Sequence, residues 1–507
     1  MKDKFDNQAY LALDIGYGVR CAAQHKPNKV ALGEGARSLN YGDLAKRINR
    51  VSNGVRNIAG LVKGDRVALI APNCIEYPEL AIGIAQAGLI VVTLNPKLTS
   101  TEIKYICDDC DASMIFVHPS ARPQIDLSQL PNVKELVVIG DNYEEWLTQS
   151  SADYQIGHLA ETDIFALVYT AGTTGKPKGV MLSHRSRVLT FLGMASEYGC
   201  YTPDDRTLAV APLFHGAGFS FAIAALFFGG YCEISPKFEA ASTLKKLKEL
   251  DITNVFMVPT HFQAIFDLPA KQLADLKSNR IKTIISNASA LPQALKKKVV
   301  GYFGPGILHE TYGSTEAGIV CNLRPADQLR KERCVGLGFA CTETKVLTKE
   351  GLPVQPGEVG ELYSRSPYLF SGYWGNTLSV NAMLDGWFSA GDLARLDDEG
   401  FVYLIDRKMD MIISGGVNIY PREIEEVLYD HPAIADAAII GVPDQYWGES
   451  VKAYVVLRDN HSVDTEDLNS YCREVLAGYK TPKSFEFVAA LPRNATGKVL
   501  KRELRNL

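Results

Sequence analysis

An excess of positive charge is absent from this sequence. Its 507 residues contain 53 lysines and arginines against 58 aspartates and glutamates, so the net charge is −5. Surfaces that bind nucleic acid or anionic membranes need clustered positive charge. We therefore expect no nucleic-acid partner.

An apolar leader is also absent. Residues 1–7 read Met-Lys-Asp-Lys-Phe-Asp-Asn and include acidic residues but no hydrophobic core of a signal peptide. We expect a cytoplasmic protein.

The uncharged segment 208–232 is long enough for a membrane span, but Pro212, His215 and several glycines interrupt it. It predicts a buried helix that lines an apolar pocket and no transmembrane segment, and contact with a membrane surface stays open.

The ten cysteines lack the regular spacing of a disulfide framework. Cys107 and Cys110 form one C-x-x-C pair, whereas a zinc site needs a second pair. The two aspartates between them disfavour thiolates. We predict that most cysteines are buried apolar residues.

The chain is too long for a single hydrophobic core, and its composition, 46% apolar and 22% charged, is that of a globular protein. Helical and strand patterns alternate through its first two thirds, which predicts a doubly wound α/β fold. One helical face is predicted at Leu44, Ile48, Val51, Val55 and Ile58, and a further helix at Pro78–Ala87. Buried strands are predicted at Val67–Ile70, Leu89–Leu94, Thr253–Val258 and Lys282–Ile285.

Beyond Asp406-Arg407 the pattern changes to a compact α+β unit of roughly one hundred residues. Pro421 opens a predicted helix with three inward residues, Ile424, Val427 and Leu428. A second helix is predicted from Leu468, Tyr471, Val475 and Leu476, with its end at Gly478. We place the domain boundary at Met409, so that the domains are 1–408 and 409–507.

The most informative segment is 169–179, Tyr-Thr-Ala-Gly-Thr-Thr-Gly-Lys-Pro-Lys-Gly. Its glycines allow close approach of the backbone to anionic oxygens, its threonines donate hydrogen bonds, and its lysines supply charge. Pro177 follows Lys176, so the segment cannot be a Walker A loop, in which Lys-Ser/Thr opens a helix. We predict a phosphate-binding loop that leads into the strand Val180–Leu182; the alternative is a solvated Gly/Thr-rich turn.

Further motifs follow in order. They are His309-Glu310-Thr311-Tyr312-Gly313-Ser314-Thr315-Glu316, Trp387-Phe388-Ser389-Ala390-Gly391-Asp392, Asp406-Arg407, Ser414-Gly415-Gly416 and Pro492-Arg493-Asn494-Ala495-Thr496-Gly497-Lys498. Together with 169–179, this ordered set resembles the adenylate-forming superfamily of acyl-CoA synthetases, adenylation domains and luciferases. The resemblance covers nearly the whole chain and implies a large domain of stacked α/β sheets with a smaller mobile C-terminal domain.

The resemblance implies an enzyme that uses ATP and Mg²⁺ to convert a carboxylic acid into an acyl-adenylate, and then transfers the acyl group to CoA. It implies catalytic roles for Lys498, Glu316 and His215, with Glu316 also associated with the metal. The implied ATP-binding residues are Thr170, Gly172, Thr173, Thr174, Gly175, Lys176, Lys178, Asn287, Ala288, Glu310, Thr311, Tyr312, Gly313, Thr315, Asp392 and Arg407. Asp392 is the acceptor expected for the ribose hydroxyls, because an ionised carboxylate only accepts hydrogen bonds.

The implied acyl-binding residues are His215, Gly216, Phe219 and Val258, and the implied CoA-binding residues are Gly415 and Gly416. Without the resemblance, His215 would be interpreted as a histidine of the hydrophobic core. For Gly415 and Gly416, a plain turn before the Pro421 helix is an equally good interpretation. No aspartate for a substrate ammonium occurs in 208–232, so we expect an apolar fatty or aromatic acid. Transfer to a carrier protein, a non-catalytic binding role and a homodimer all stay open.

The sequence departs from the superfamily pattern at a few positions. Ala171 stands where relatives usually have serine, and Asn287 and Ala290 replace the more usual Gly and Pro. Met409 occupies the position of a hinge aspartate or lysine. These departures concern nucleotide affinity and domain rotation.

Overall fold

A computed structural model describes residues 12–155, 159–171, 177–375, 383–415, 417–493 and 499–506. The chain divides into two compact units. The first consists of Met1–Glu332, Gly336–Glu343 and Ser364–Phe388, and the second of Arg333–Val335, Thr344–Tyr363 and Ser389–Leu507. Met409 lies within the second unit, and the boundary at this residue stays a prediction.

The helices are α1 (Tyr17–His25), α2 (Tyr41–Asn57), α3 (Glu76–Gln86), α4 (Ser100–Asp109), α5 (Tyr143–Thr148), α6 (His184–Tyr198), α7 (Gly216–Phe227), α8 (Ala240–Glu249), α9 (Pro259–Phe266), α10 (Ala270–Asp275), α11 (Gln293–Phe303), α12 (Pro421–Tyr429), α13 (Thr465–Val475) and α14 (Lys501–Leu504). The strands are β1 (Val30–Glu34), β2 (Arg37–Asn40), β3 (Arg66–Ile70), β4 (Ile90–Leu94), β5 (Ala112–Val117), β6 (Glu135–Val138), β7 (Ile164–Ala171), β8 (Pro177–Ser183), β9 (Arg206–Ala209), β10 (Tyr231–Ile234), β11 (Asn254–Met257), β12 (Thr283–Ser286), β13 (Leu308–Ser314), β14 (Gly318–Leu323), β15 (Leu337–Gly338), β16 (Glu343–Leu347), β17 (Gly360–Arg365), β18 (Met383–Leu384), β19 (Trp387–Phe388), β20 (Asp392–Leu396), β21 (Val402–Arg407), β22 (Ile412–Ser414), β23 (Val417–Ile419), β24 (Ile434–Asp444), β25 (Gly448–Leu457) and β26 (Ser484–Phe487).

Two large sheets form the framework of the first unit. Within the described residues, a six-stranded sheet has the order β6-β5-β3-β4-β7-β8 and a nine-stranded sheet the order β15-β14-β13-β12-β11-β9-β10-β1-β2. The inner strands are parallel, as in β3 with β4 and β12 with β13. Strands β3 and β4 are apolar almost throughout because helices cover both sheet faces in such folds. The predicted α/β fold class is confirmed.

Helical periodicity predicted the first unit well. Leu44, Ile48, Val51 and Val55 are buried on α2, whereas Ile58 lies past the helix end and is 38% exposed. The uncharged segment 208–232 contains α7, which is buried as predicted. No helix within the described residues is long and apolar enough to cross a membrane.

The predicted burial of Cys107 and Cys110 is confirmed. Burial raises the pKa of both thiols to about 12, so they are neutral at physiological pH.

The second unit contains an α+β region. A mostly antiparallel sheet has the order β23-β22-β25-β24, with β26 parallel to β25. Helix α12 buries Ile424, Val427 and Leu428 as predicted. The prediction was wrong for α13 at one residue: Val475 is 64% exposed, because the helix ends there rather than at Gly478.

A buried ionic cluster joins three helices of the first unit. Glu79 of α3 is fully buried and accepts hydrogen bonds from Arg47 of α2, at 2.6 Å from Nε and 2.8 Å from Nη2. The hydroxyl of Tyr143 in α5 donates to the same carboxylate at 2.6 Å. Arg47 also pairs with the exposed Glu144 at 2.6 Å. One buried carboxylate therefore fixes the packing of α2, α3 and α5.

We expect Glu79→Ala to lower the free energy of unfolding by about 3 to 5 kcal/mol. The substitution removes the buried carboxylate that accepts hydrogen bonds from Arg47 and Tyr143. Glu144→Ala removes an exposed partner of the same arginine and should change stability by about 1 kcal/mol or less. Thermal and denaturant unfolding of both variants measure the difference. Equal effects would contradict the assignment of the anchoring role to Glu79.

Candidate active site

The loop that follows β12 is attached to β13. Asn287 Nδ2 donates to Thr311 Oγ1 at 2.9 Å, and the backbone N–H of Leu291 donates to Glu310 at 3.0 Å. Ala288 adopts a left-handed φ of 77°, and its N–H contacts the side chain of Asn287. The loop leaves the carboxyl end of a parallel strand, where open α/β sheets bind ligands. The structure thus brings together two segments that were predicted separately on the nucleotide side.

Glu310 forms an ion pair with Lys296 of α11, with an N–O distance of 2.6 Å. The Lys296 side chain is only 1% exposed and that of Glu310 7%. A buried lysine needs an anionic partner. Glu310 therefore compensates Lys296 and fixes the loop through Leu291, while a direct contact between Glu310 and ATP stays a prediction.

Strand β13 carries Tyr312 and Gly313 at an irregularity in its pairing with β14. A Cβ on Gly313 would lie 2.0 Å from the carbonyl oxygen of Gly318, so only glycine fits. Tyr312 is half-buried next to this bulge. Bulges re-aim side chains and are frequent near active sites. The local geometry suits the predicted nucleotide-facing role of Tyr312.

The predicted phosphate-binding loop joins β7 to β8, which form an antiparallel hairpin with Thr170 opposite Lys178. Strand β8 begins at Pro177, earlier than the predicted Val180, because the proline at its start needs no ladder hydrogen bond. Gly172, Thr173, Thr174, Gly175 and Lys176 lie outside the described residues, as do Gly416 and Lys498.

Backbone hydrogen bonds join the hairpin to the segment 371–374, and this segment contacts Glu316 through Tyr373. Trp374 N–H donates to the Gly179 carbonyl at 2.8 Å, and Met181 N–H to that of Gly372 at 2.9 Å. Lys178 Nζ lies 5.4 Å from the ring centroid of Tyr373, whose hydroxyl donates to Glu316 Oε1 at 3.0 Å. The structure therefore brings Lys178, a cation of the predicted phosphate loop, and Glu316, the predicted metal-associated carboxylate, to one tyrosine, with Lys178 at its ring and Glu316 at its hydroxyl.

Glu316 fits a magnesium ion that is held largely by phosphates. Magnesium in nucleotide sites uses one or two carboxylates and completes its shell with phosphates and water. Glu316 is half-buried with Tyr373 on Oε1. Among the described residues no group of three or more potential ligands occurs, so an all-protein metal cage is not formed there.

A cavity lies beside the N-terminus of α7. Its lining includes three of the predicted acyl-binding residues, His215, Gly216 and Phe219, while Val258 lies half-buried elsewhere, before α9. The remaining lining residues are Thr93, Phe165, Ala166, Val168, Leu182 and Arg187. A Cβ on Gly216 would lie 3.9 Å from Thr315, so the cavity adjoins the strand-end loop next to Glu316.

His215 faces this cavity as a neutral imidazole. Burial lowers the pKa of His215 below its ordinary value, and its carbonyl accepts from Phe219 N–H at 2.9 Å in the first turn of α7. Phe219 stacks on Phe165 with ring centroids 6.0 Å apart. The cavity wall is thus mainly apolar and aromatic, as predicted for the acyl side.

Arg187 of α6 is a residue of this cavity that the sequence analysis missed. It is 6% exposed, and Nη1 donates to Ser220 Oγ at 2.9 Å. Its burial was not readable from the sequence, because α6 is buried on most sides and its apolar residues do not form a single face. Arg185 lies about 200° around the helix and is exposed.

In the second unit, the two predicted ribose-side residues are neighbours. Asp392 and Arg407 are opposite each other in the antiparallel pairing of β20 and β21, and Arg407 Nε lies 3.4 Å from Asp392 Oδ1. Asp392 is buried, whereas Arg407 is half-buried. The strand register therefore pairs an anionic acceptor with a cation.

Gly415 lies in the turn between β22 and β23, with a φ of 57°. A Cβ there would lie 2.7 Å from the Trp447 ring, and Gly415 N–H donates to the Trp447 carbonyl at 2.8 Å. Trp447 and Tyr446 are 44% and 82% exposed. The turn predicted to contact CoA is thus flanked by exposed aromatic surface.

Comparison with known proteins decides the family. The model of the AMP-binding enzymes matches residues 19–374, and that of the AMP-binding enzyme C-terminal domain matches residues 423–498. The chain belongs to the AMP-binding enzymes, within the adenylate-forming superfamily. The two matches leave 375–422 between them, a range that includes Met409.

Individual relatives cover nearly the whole chain. A feruloyl-CoA synthase from Amycolatopsis sp. is 36% identical over 95% of this chain and 96% of its own length. A long-chain-fatty-acid–CoA ligase from Bacillus subtilis is 34% identical over 95% of this chain and 92% of its own. The crystal structure of ATP-bound MatB from Rhodopseudomonas palustris superposes with a TM-score of 0.89 at 28% identity, and covers 97% of this chain and 99% of that one. This family member is therefore a ligase of the AMP-forming type with the fold of its ATP-binding relatives.

We expect Lys296→Met to destabilise the protein by about 3 to 5 kcal/mol, because the buried carboxylate of Glu310 would lose its cationic partner. The loop at Asn287 would lose its anchor, so the apparent affinity for ATP should also fall. Thermal melting and ATP titration of adenylate formation measure the two effects.

Lys297→Met is the matched control, since Lys297 is the next residue of α11 and is exposed. It should leave both quantities close to those of the unmodified protein. An unchanged melting temperature in Lys296→Met would contradict the role of this ion pair.

Proposed function

We propose that the protein is an AMP-forming acyl-CoA synthetase for an apolar carboxylic acid, fatty or aromatic. In the first step a carboxylate oxygen of the acid attacks the α-phosphorus of ATP, and pyrophosphate leaves. In the second step the thiol sulfur of CoA loses its proton and attacks the acyl carbon, and AMP leaves. The observation that carries the proposal is the proximity of the acyl-side cavity at Gly216 to Thr315, which follows β13 next to Glu316.

The first step joins two anions, so the protein has to supply oriented donors and positive charge rather than a covalent nucleophile. Lys178 and the hydroxyl donor Thr170, which face each other across the hairpin, suit this task. Glu316 would hold Mg²⁺, which would neutralise phosphate charge. His215, neutral and next to the cavity, would pack against the acyl group without adding charge.

The acid specificity is proposed from the character of the cavity. Phe165, Val168, Leu182 and Phe219 give it an apolar wall, and burial of apolar substrate surface contributes about 25 cal/mol per Å². The named relatives are a synthase for the CoA ester of an aromatic acid and a CoA ligase for long-chain fatty acids.

We propose CoA as the acceptor, with the turn at Gly415 and the surface of Trp447 as the contact for its narrow arm. Between the two half-reactions the C-terminal region would rotate about Met409, so that Lys498 serves the first step and the turn at Gly415 the second. Transfer to a carrier-protein phosphopantetheine is the same chemistry with another acceptor.

The decisive experiment is acid-dependent exchange between ATP and pyrophosphate with a panel of fatty and aromatic acids, followed by AMP release with CoA or with a phosphopantetheinylated carrier protein. Exchange together with CoA-dependent thioester formation is expected. No exchange with any acid would favour a non-catalytic binding role, and thioester formation only with the carrier protein would identify the other acceptor.

Asp392→Ala should weaken the binding of ATP roughly tenfold to a hundredfold, because the ribose would lose an ionised acceptor worth about 1.5 to 3 kcal/mol. The apparent affinity for ATP in the exchange reaction measures this. Asp398→Ala, in the exposed turn that follows β20, is the control and should have no effect. An unchanged affinity in Asp392→Ala would exclude the ribose role.

Lys498→Ala should slow adenylate formation by roughly a hundredfold or more, the usual effect of removing one preorganised contact in the transition state. Thioester formation from supplied acyl-adenylate should persist, because Lys498 is needed only in the first step. Both rates are measured on one preparation beside Arg502→Ala, an exposed basic residue nearby. Parallel loss of both steps in folded Lys498→Ala would contradict the two-conformation mechanism.

A further inference from the structure

Arg187 places a guanidinium group in the wall of the cavity that adjoins His215 and Gly216. The residue is 6% exposed. Burial lowers its pKa to about 10, so it stays protonated at neutral pH. A positive charge therefore lies inside a cavity whose other lining is mainly apolar.

The hydrogen bonds of this guanidinium are incomplete. In the part of the chain that the structure describes, Nη1 donates to Ser220 Oγ at 2.9 Å, whereas Nε is buried without a partner. No carboxylate of the described residues forms an ion pair with it, in contrast to Arg47 with Glu79 and Lys296 with Glu310. Buried charges that lack a partner are strongly unfavourable, so the free edge of Arg187 calls for an acceptor from outside the chain.

The orientation of the group is fixed by α7. Ser220 Oγ accepts from Arg187 and donates to the Gly216 carbonyl at 2.7 Å, in the first turn of α7, directly after His215. The hydrogen bond to Ser220 occupies Nη1, so the edge formed by Nε and Nη2 is left for another acceptor. That edge of a guanidinium binds carboxylates and other oxygen acceptors with two parallel hydrogen bonds.

The cavity walls also bear on the shape of the ligand. They include the stacked rings of Phe165 and Phe219, whose centroids lie 6.0 Å apart. A flat, compact group fits such walls better than a long flexible chain.

We propose that Arg187 is a specificity-determining residue that binds an oxygen acceptor on the acid substrate, remote from the carboxyl group that reacts. The substrate class is a compact aromatic acid that carries a hydroxyl, carbonyl or second carboxylate group. The inference rests on the proposed acyl-CoA synthetase function and narrows its substrate.

The test compares matched acids on the full-length protein. Cinnamic acid is paired with 4-hydroxycinnamic and 4-carboxycinnamic acid, and benzoic acid with its 3- and 4-hydroxy and carboxy derivatives, with kcat/KM measured by CoA-dependent AMP release. The unmodified protein should prefer an acceptor-bearing acid in at least one series. The hydroxy and carboxy arms distinguish a neutral from an anionic acceptor.

In Arg187→Leu that preference should fall about tenfold to a hundredfold, the effect of losing hydrogen bonds to a charged group, while the unsubstituted acid is retained or improved. Arg187→Lys keeps the charge and should keep part of the preference. Arg185→Leu is the control, because Arg185 is on the same helix but is exposed and pairs with Glu161 at 2.6 Å. Its preference should match that of the unmodified protein.

An unchanged preference in folded Arg187→Leu, or an equal loss for every acid, overturns the proposal. If no acid is turned over by the unmodified protein, the proposed function itself fails. Thermal-shift binding of 4-carboxycinnamic and cinnamic acid without ATP then still decides the role of Arg187. Stabilisation by the carboxy acid that Arg187→Leu abolishes supports the proposal, and the same shift in both proteins contradicts it.

Discussion

The ion pair between Lys296 and Glu310 holds the part of the first unit on which the candidate site depends. It links α11 to β13, and the same carboxylate receives the N–H of Leu291. The loop after β12 is thereby held at both ends, since Asn287 is bonded to Thr311. A site for a polyanionic substrate needs donors that are already oriented, and this contact orients the loop after β12.

A second set of contacts ties the phosphate side to the metal side. Backbone hydrogen bonds join the β7–β8 hairpin to the segment 371–374, and Tyr373 bridges Lys178 and Glu316. A displacement of the hairpin would therefore also shift Tyr373 and its hydrogen bond to Glu316. The acyl-side cavity is coupled to the same region through the close approach of Gly216 and Thr315.

Much of the fold was predictable because local pattern and tertiary role agree. The apolar faces of α2 and α12 and the buried strands β3 and β4 follow directly from periodicity. The pairing of Asp392 with Arg407 required the register of β20 and β21, which motif order does not contain. Val475 was misassigned because a helix end depends on caps and packing more than on hydrophobicity.

The acyl side shows why a segment cannot be interpreted alone. The absence of charge in 208–232 predicted an uncharged pocket, and α7 is apolar, but the pocket also has walls from β4, β7, β8 and α6. Arg187 enters from α6, outside the segment that carried the prediction. Charge inside a cavity is a property of the assembled fold.

The left-handed backbone at Ala288 has a consequence for how this chain could change. A non-glycine residue at such a φ stores about 1 to 3 kcal/mol of strain, which the surrounding loop has to balance. Glycine at this position would relieve the strain and raise the stability of the folded chain, yet it would also widen the range of backbone conformations that the loop samples. The alanine thus lowers the stability of the folded chain while it restricts the backbone of the loop that is bonded to Thr311.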